Sequence, residues 1–480
     1  MVFSSLEFLF LYFASAVLIY FITPLKLRNF ALLIVSLIFY GWDEPAYVFI
    51  IIFSVIAAYV CGRGVEKYKK KGDYKTAKRF VIASVVINLS LLGFFKYADF
   101  FINSLKVIPA LSFLTPLDIT LPVGISFYTL QTTSYTLDIY AGSADAQKNI
   151  ASFGTYAALF PQLIAGPVIR YKDISEQLSR RRESVLMFAC GVRTFICGMC
   201  KKVLLANTAG AFWTYIKALP DGDITVVGAW LGIIAFGFQI YFDFSGYSDM
   251  AIGLGKMFGF TFHENFNYPY ISKSVTEFWQ RWHISLGIWF REYVYIPLGG
   301  NKKGALKQYR NIAIVWLLTG FWHGAGWNYI IWGIYFGIIL TLEKRFILKA
   351  LKKTPGFVGH IYSVTLIAFG WLIFTFEDSG KGLTHLGRMF GVSIRGFADR
   401  GAIYDLLHYL PFFILAIIGS TPLPKKLFYR FFANSGQSGL SGKPGAAVRI
   451  ATPIFSAVLF LICVAFLVDS SFNPFLYFRF

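Results

Sequence analysis

The sequence predicts an all-α, polytopic integral membrane protein with about 10–12 transmembrane helices and additional re-entrant or interfacial helices. Of its 480 residues, 56% are apolar and only 15% are charged, and the mean hydropathy is +0.59. A soluble protein cannot bury that much apolar surface, because its exterior must stay hydrated. Apolar runs recur along the whole chain without an internal repeat or a low-complexity linker, so residues 1–480 are predicted to form one membrane-embedded domain.

The apolar runs define the predicted spans. The first, residues 6–22, has no basic residue before it and is therefore interpreted as a retained span and not as a signal peptide. The region 98–140 is apolar but interrupted by Pro109, Pro116 and Pro122, which predicts one span and one tilted or re-entrant helix. The other predicted spans are residues 30–42, 46–61, 80–96, 152–168, 184–206, 224–242, 310–323, 326–342, 359–375, 403–419 and 450–468.

The basic residues predict the orientation in the membrane. The net charge of +20 is spread over short blocks between apolar runs, which is typical of cytoplasmic loops facing anionic lipid and not of a nucleic-acid-binding face. Residues 62–79 are rich in Lys and Arg, whereas the preceding connection contains Asp43 and Glu44 and no basic residue. We therefore expect residues 62–79 in the cytoplasm and Met1 outside a plasma (inner) membrane.

The sequence offers little sign of metal or redox chemistry. Cys197 and Cys200 form a CxxC pair, but they lie in an apolar run without a second pair or a nearby histidine, so packing inside a helix is favoured. No HExxH or other paired-ligand pattern is present, and we expect no metal site. Glycine patterns of phosphate-binding loops and dinucleotide-binding folds are also absent.

Residues 268–301 combine charged and aromatic side chains in a way that suits neither a lipid-facing span nor a flexible loop. A helix at the membrane interface, or one dipping into the protein interior, fits best. In helical register Glu277 and Arg281 form an i,i+4 pair, as do Trp279 and His283. The final PLGGN of this stretch predicts a turn.

A histidine at membrane depth marks the second candidate segment, residues 315–337. His323 ends an apolar run and is surrounded by Gly320, Gly324 and Gly326. An ionisable side chain there is costly and is a functional-site hypothesis by default. The glycines would let a substrate or another backbone approach closely. The alternative is an interior histidine that only hydrogen-bonds a neighbouring helix.

The third candidate segment, residues 239–259, contains carboxylates and hydroxyls within an apolar run. Asp243 could orient a histidine, or could bond a backbone or hydroxyl group, and the structural role is favoured. Ser245 lacks the G-x-S-x-G context of a nucleophile elbow, which excludes a serine hydrolase of that kind.

Several segments together resemble the membrane-bound O-acyltransferase family, and within it the bacterial branch that O-acetylates alginate. The resemblance covers nearly the whole chain in order. Its motifs are PQLIAGP (161–167), FDFSGYSDMAIG (242–253), FWQRWHISL (278–286), WFREYVYIPLGGN (289–301), LLTGFWHGAGWN (317–328) and NPFLYFRF (473–480).

The resemblance implies a ring of tilted helices around a thin centre, where a cytosolic donor and an extracytoplasmic acceptor meet. It implies functional histidines at His283 and His323, the latter essential. No bound cofactor is implied; the acyl donor would be acetyl-CoA or an acyl carrier protein thioester. The acceptor would be a polysaccharide such as alginate, reached through an extracytoplasmic acetyltransferase or esterase-like partner protein, with membrane lipid as the other partner.

Histidine suits the chemistry because its ordinary pKa, about 6.5, lies near operating pH. We assign His323 as the general base and His283 to the donor side. The candidate substrate- and donor-binding residues are Trp279, Arg281, Trp282, Arg291, Asn301, Asp243, Ser245 and Asn328, with Lys302 and Lys303 as further candidates for donor phosphates.

Three alternatives remain open at this stage. One is transfer of D-alanine to teichoic acid, which a sibling branch of the family performs. Another is a transporter or flippase, which would predict symmetric halves with matching helix breaks that the sequence lacks. The last is a structural subunit that only docks a partner enzyme, which would not need histidines in aromatic and glycine-rich surroundings.

Overall fold

The computed structural model describes residues 1–42, 44–164, 166–220, 222–392, 394–433, 446–469 and Asn473. Within them the protein is helical and contains no strand. The α-helices are α1 Phe13–Ile22, α2 Arg28–Tyr40, α3 Val48–Lys70, α4 Tyr74–Leu105, α5 Ile125–Ala141, α6 Ile150–Ala158, α7 Phe160–Leu163, α8 Tyr171–Arg180, α9 Val185–Cys200, α10 Asn207–Ala218, α11 Val226–Met257, α12 Val275–Arg281, α13 Ile284–Phe290, α14 Ala305–His323, α15 Trp327–Leu342, α16 Leu348–Leu351, α17 Gly356–Thr375, α18 Ser379–Met389, α19 Arg400–Gly419, α20 Leu423–Ala433 and α21 Ala446–Asp469. π-Helical turns at Glu7–Tyr12, Lys201–Ala206, Arg291–Tyr295 and Glu343–Ile347 continue neighbouring helices.

The all-α, multi-pass membrane class is confirmed. Among the described residues, six helices are long and apolar enough to cross a bilayer, and Glu7–Ile22 is a shorter apolar helix. The count of 10–12 spans, which includes shorter and interrupted helices, stays a prediction. The six are Pro45–Lys70, Tyr74–Leu105, Val226–Met257, Gly356–Thr375, Arg400–Gly419 and Ile450–Asp469.

Proline decides where two predicted spans are interrupted. The continuous span predicted for 152–168 is wrong, because α6 ends at Ala158 and the short α7 begins at Phe160. Pro161 has no N–H to bond the carbonyl four residues earlier, so an unbroken helix cannot pass through it. In the proline-containing region 98–140, α4 ends at Leu105 and helix resumes only at Ile125, apart from one 3-10 turn.

Helices α9 and α11 pack with their backbones in contact. A Cβ atom added to Gly198 would lie 2.5 Å from the carbonyl oxygen of Gly246, and one added to Gly253 would lie 2.7 Å from that of Gly191. Gly191 and Gly198 are seven residues apart, as are Gly246 and Gly253, and their pairing in reverse order shows that the helices are antiparallel. Small residues allow such close approach in membrane proteins, where dispersion contacts replace the hydrophobic effect between helices.

The terminal motif NPFLYFRF falls mostly outside the described residues, and only Asn473 can be placed. Its amide nitrogen donates to the carbonyl of Ser4 over 3.0 Å, and its Oδ1 accepts from Asn207 over 3.3 Å. Asn473 therefore joins the first residues of the chain to the start of α10.

We expect Gly198→Ala to destabilise the protein, because the added methyl must push α9 away from α11. Overpacking of this kind costs about 1–3 kcal/mol. The midpoint of thermal unfolding, measured on detergent-purified protein, should fall. Gly93→Ala is the matched control, since Gly93 is also helical but its added Cβ would have no heavy atom within 4 Å. Equal midpoints for the two variants would contradict the close packing of α9 on α11.

Candidate active site

Helix α12, which begins the tryptophan- and histidine-rich segment, is fixed at its first turn by two side chains. Ser274 caps the helix by accepting from the N–H of Glu277 over 3.0 Å. The fully buried carboxylate of Glu343 accepts from the N–H groups of Val275 and Thr276, each over 2.7 Å. A carboxylate at this end also complements the helix dipole. The start of α12 is therefore bound to the end of α15.

His283 lies at a sharp junction between two short helices. Its backbone is left-handed, with φ 45° and ψ 52°, a conformation that is costly for a residue with a side chain. The helix predicted through residues 268–301 is therefore wrong in one respect, since α12 ends at Arg281 and α13 begins at Ile284. The Glu277–Arg281 pair within α12 is confirmed, with nitrogen and oxygen 3.0 Å apart.

Trp279 is not a helical neighbour of His283, because the left-handed junction breaks the register. Its ring instead packs edge-on against Trp316, Trp332 and Phe336, with centroids 4.8–5.3 Å apart. Trp279 thus connects α12 to the two helices that flank His323.

Asn265 holds His283 and determines its tautomer. Asn265 Oδ1 accepts from the backbone N–H of Ser285 over 3.2 Å, so this atom must be the oxygen of the amide. His283 Nδ1 lies 3.2 Å from the same oxygen and therefore donates to it. This assignment follows from the hydrogen-bond network. In the neutral imidazole it leaves the lone pair on Nε2, which is buried and makes no hydrogen bond to the described residues.

The backbone carbonyl of Asn265 also accepts from the N–H of Ile284 over 2.9 Å, and its Nδ2 donates to Ser248 Oγ on α11 over 3.1 Å. Side chain and backbone of one residue thus join α11 to the start of α13. The bonds from Asn265 to Ile284 and Ser285 support the chain directly after the strained backbone of His283.

His323, the last residue of α14, sits in a cage of aromatic rings. The rings of Trp322, Trp332 and Phe374 lie 5.1, 5.0 and 5.6 Å from its imidazole, centroid to centroid. The residue is 3% exposed, and its Nδ1 makes no hydrogen bond to the described residues. This nitrogen therefore lacks the bond expected of an interior histidine that only hydrogen-bonds a neighbouring helix, and the catalytic role of His323 stays a prediction.

The glycines near His323 serve helix packing. A Cβ on Gly320 would lie 2.4 Å from the carbonyl oxygen of Tyr329, and one on Gly333 would lie 2.5 Å from that of Trp316. A Cβ on Gly324 would enter the ring of Tyr329. Of the two predicted uses of these glycines, close approach of another backbone is therefore the one observed at Gly320, where α14 and α15 touch.

The two histidines share a neighbour and a common environment. The ring of Trp322 lies 6.0 Å from that of His283, and both histidines are 3% exposed. Each has a buried ring nitrogen without a hydrogen bond among the described residues. A neutral imidazole with an unengaged nitrogen can accept a proton from a hydroxyl group. The structure thus brings together two candidate bases that are 40 residues apart in the chain.

Asp243 and Ser245 lie on α11 and are both 1% exposed. A carboxylate oxygen of Asp243 lies 2.8 Å from Nζ of Lys202, whose side chain is equally buried. Neither histidine hydrogen-bonds Asp243, and the structural role favoured for Asp243 stays a prediction. Lys202 also donates to Asn207 over 3.0 Å. The Oγ of Ser245 is buried without a hydrogen bond among the described residues.

The remaining predicted residues divide by depth. Trp282 is 2% exposed and packs against Phe278 and Trp371, with centroids 5.5 and 4.9 Å apart. Asn328 is 2% exposed and donates to the carbonyl of Phe374, a neighbour of His323, over 3.0 Å. Arg281 is half-buried and paired with Glu277. The residues exposed to solvent are Arg291, Asn301, Lys302 and Lys303. Neither Arg281 nor any of these four hydrogen-bonds either histidine. Their substrate-binding roles stay predictions.

A cluster next to α13 contains both acidic and basic side chains. Glu292 accepts from Lys172 over 2.5 Å and also pairs with Arg170, which makes a two-pronged contact with Asp173 over 2.7 and 2.9 Å. Burial would raise the pKa of Glu292, but the hydrogen bonds from Lys172 and Arg170 outweigh burial and lower it. The cluster borders a shallow surface recess whose lining includes Arg170, Asp173, His263, Glu264 and Ser285.

Comparison with known proteins identifies the family. The sequence profile of the membrane-bound O-acyltransferase family matches residues 143–377. Probable alginate O-acetylases AlgI of Azotobacter vinelandii and Pseudomonas putida are 37% and 38% identical to this chain, each over 100% of both sequences. The chain belongs to the membrane-bound O-acyltransferase family. It falls in the alginate O-acetylase branch and is an acyltransferase.

A peptidoglycan O-acetyltransferase of Helicobacter pylori is 32% identical over 82% of this chain and 80% of its own length. The family profile includes both histidines and the α12–α15 region, so the geometry described above lies within the part that defines an O-acyltransferase.

Sequence reasoning missed three residues that support the histidines. Lys96 could have been noticed as a lysine near the end of an apolar run, and it is buried beside α14. Glu343 directly follows an apolar run and offered the same kind of signal. Asn265 offered none, because nothing in the sequence distinguishes it from Asn267 in the same connection.

We expect Asn265→Ala to reduce acyl transfer by about 10²-fold, since a small misplacement of a reacting group has effects of that size. The rate per folded protein should be measured at equal expression. Asn88→Ala is the matched control, because Asn88 is also fully buried and hydrogen-bonded, to Ser84 and Ser54. The control should retain its specific rate even where stability falls. Equal rates for the two variants would contradict the anchoring role of Asn265.

Proposed function

We propose that this protein transfers an acetyl group from a cytoplasmic thioester, acetyl-CoA or an acyl carrier protein thioester, for O-acetylation of an extracytoplasmic polysaccharide such as alginate. The observation behind the proposal is the pair of buried histidines at the α12–α15 centre, each with a ring nitrogen that makes no hydrogen bond to the described residues. Acyl transfer to a hydroxyl needs such a base in a place from which water is excluded.

The acetyl group and the polysaccharide are proposed from the relatives. Full-length similarity to probable alginate O-acetylases favours alginate, and the H. pylori relative makes peptidoglycan the next acceptor to test. The D-alanyl alternative has less support, because the teichoic acid D-alanyltransferase of Bacillus subtilis is 27% identical over only 55% of this chain.

In the proposed reaction His323 is the general base. The acceptor hydroxyl loses its proton to His323 as its oxygen attacks the thioester carbonyl, and the tetrahedral intermediate carries the negative charge on the former carbonyl oxygen. The C–S bond then breaks, the ester forms, and the departing thiolate takes the proton. A positioned base contributes about 10²–10⁴-fold, so alignment of donor and acceptor must supply much of the remaining acceleration.

The donor is proposed to arrive from the cytoplasmic side of a plasma (inner) membrane, with Met1 on the opposite side. Support comes from the exposed basic residues after α13, including Lys302 and Lys303, which suit the phosphates of a thioester carrier. The recess beside Arg170 borders Ser285, two residues from His283, and would lie on the same side.

We further propose that the polysaccharide never enters the membrane protein. The surroundings of His323 are aromatic rings and closely packed glycines, with few of the polar groups that bind sugar hydroxyls. The acetyl group would instead pass to a small hydroxyl-bearing acceptor, a side chain of an extracytoplasmic acetyltransferase or esterase-like partner, which completes the transfer.

His323→Ala should abolish acyl transfer while the protein still folds and inserts. The acetyl content of the polymer, compared in cells expressing each form at equal level, measures this. His385→Ala serves as control, because His385 is a similarly buried histidine, 2% exposed, with its Nε2 beside the carbonyl of Ala229 and away from the pair. If cells with His323→Ala acetylate the polymer to within threefold of the parent level, His323 is not the general base.

If the acetyl group passes through a side chain of a partner (the relay), acetylation of the polymer must depend on that partner. Purified protein in proteoliposomes would be supplied with labelled acetyl-CoA and alginate, with and without the extracytoplasmic proteins encoded beside it. Labelled polymer should form only when the partners are present. Efficient acetylation of alginate by this chain alone would rule the relay out.

A further inference from the structure

Lys96 is a buried lysine in the second half of the apolar helix α4. The residue is 8% exposed, and its ammonium donates to Ser126 Oγ over 3.1 Å and to the carbonyl oxygen of Trp322 over 2.5 Å. An ammonium group has three N–H donors, and these two bonds use two of them.

The charge of Lys96 is not balanced by any carboxylate of the described residues. Lys202, the other deeply buried lysine discussed above, lies 2.8 Å from Asp243. An isolated buried cation is expensive, and in a membrane protein such a group is a functional-site hypothesis by default. Anchoring the carbonyl of Trp322 does not explain the charge, because any neutral donor could bond a carbonyl.

Lys96 lies at the same end of α14 as His323. Trp322, whose carbonyl it bonds, directly precedes His323, and Nζ lies 5.8 Å from the centre of the Trp322 ring. The ammonium is therefore part of the same buried centre as the two candidate bases.

We propose that Lys96 is a further catalytic residue, whose ammonium donates its remaining N–H to the oxyanion formed on the thioester carbonyl. The inference rests on the proposed acyl transfer. His323 removes the proton of the attacking hydroxyl, the carbonyl π electrons move onto oxygen, and Lys96 stabilises that negative charge. When the carbonyl reforms, the C–S bond breaks, the thiolate takes the proton, and Lys96 remains protonated throughout.

The dry environment makes a fixed cation effective in this role. Coulombic interactions are stronger where water is excluded, and a donor that is already oriented costs no reorganisation as the charge develops. Ser126 and Trp322 hold the ammonium in place from two sides. Among the described residues, no other cation bonds this end of α14.

The test compares two substitutions in the proteoliposome assay with partners present. Lys96→Met removes the charge and keeps the length of the side chain, and Lys96→Gln keeps a neutral donor for the carbonyl of Trp322. For both we expect kcat for acetyl-CoA to fall by about 10²–10³-fold. KM should stay within threefold of the parent, and the midpoint of thermal unfolding should not fall, since an unpaired buried charge is removed.

Each outcome decides between a catalytic cation and a structural anchor. If Lys96→Gln retains kcat within threefold of the parent, Lys96 acts only as an anchor and the proposal is overturned. The proposal is also overturned if kcat falls only in proportion to a lower midpoint of thermal unfolding. Normal kcat in Lys96→Met would leave the acyltransferase reaction intact and remove Lys96 from it. Absence of acetyl transfer by the parent protein would instead overturn the proposed function, and the role of Lys96 with it.

Discussion

The bonds from Asn265 to the junction at His283 are the constraint on which the centre of this protein depends. A residue with a side chain adopts a left-handed backbone only when its surroundings enforce it. Here the carbonyl of Asn265 binds the N–H of Ile284, and its side chain binds His283 and Ser285. These contacts turn the chain between α12 and α13 and place the imidazole against Phe244 of α11, with ring centroids 4.7 Å apart.

The polar groups of the interior fall into two kinds. Lys202 forms an ion pair with Asp243, and the carboxylate of Glu343 accepts hydrogen bonds from the first N–H groups of α12. These contacts hold helices together. Nε2 of His283 is buried without such a partner, and Lys96 has no carboxylate among the described residues. Because unsatisfied polar groups are costly away from water, the unused hydrogen-bonding capacity of His283 and Lys96 favours a chemical role for them.

Glycine and aromatic residues have complementary tasks around His323. Gly320 and Gly333 let the backbones of α14 and α15 meet, which fixes the end of α14 that carries the histidine. The rings of Trp322, Trp332 and Phe374 then fill the space around the imidazole. Close packing of this kind holds the base in one orientation and excludes water, and both effects favour transfer of an acyl group to a chosen hydroxyl over hydrolysis.

The sequence by itself determined the membrane class, the helical content and the choice of His323 as a candidate, because hydropathy and rare ionisable residues in apolar runs are local signals. The choice of His283 came from the family resemblance. The sequence also located the Glu277–Arg281 pair, which depends on helical spacing alone. Only the tertiary structure decided that Trp279 faces α14 and α15 away from His283, since the left-handed junction breaks the register. It alone revealed Asn265 and the bond from Lys96 to Trp322, which joins residues 226 positions apart. Such long-range contacts follow from how helices pack, and no local pattern in the chain records them.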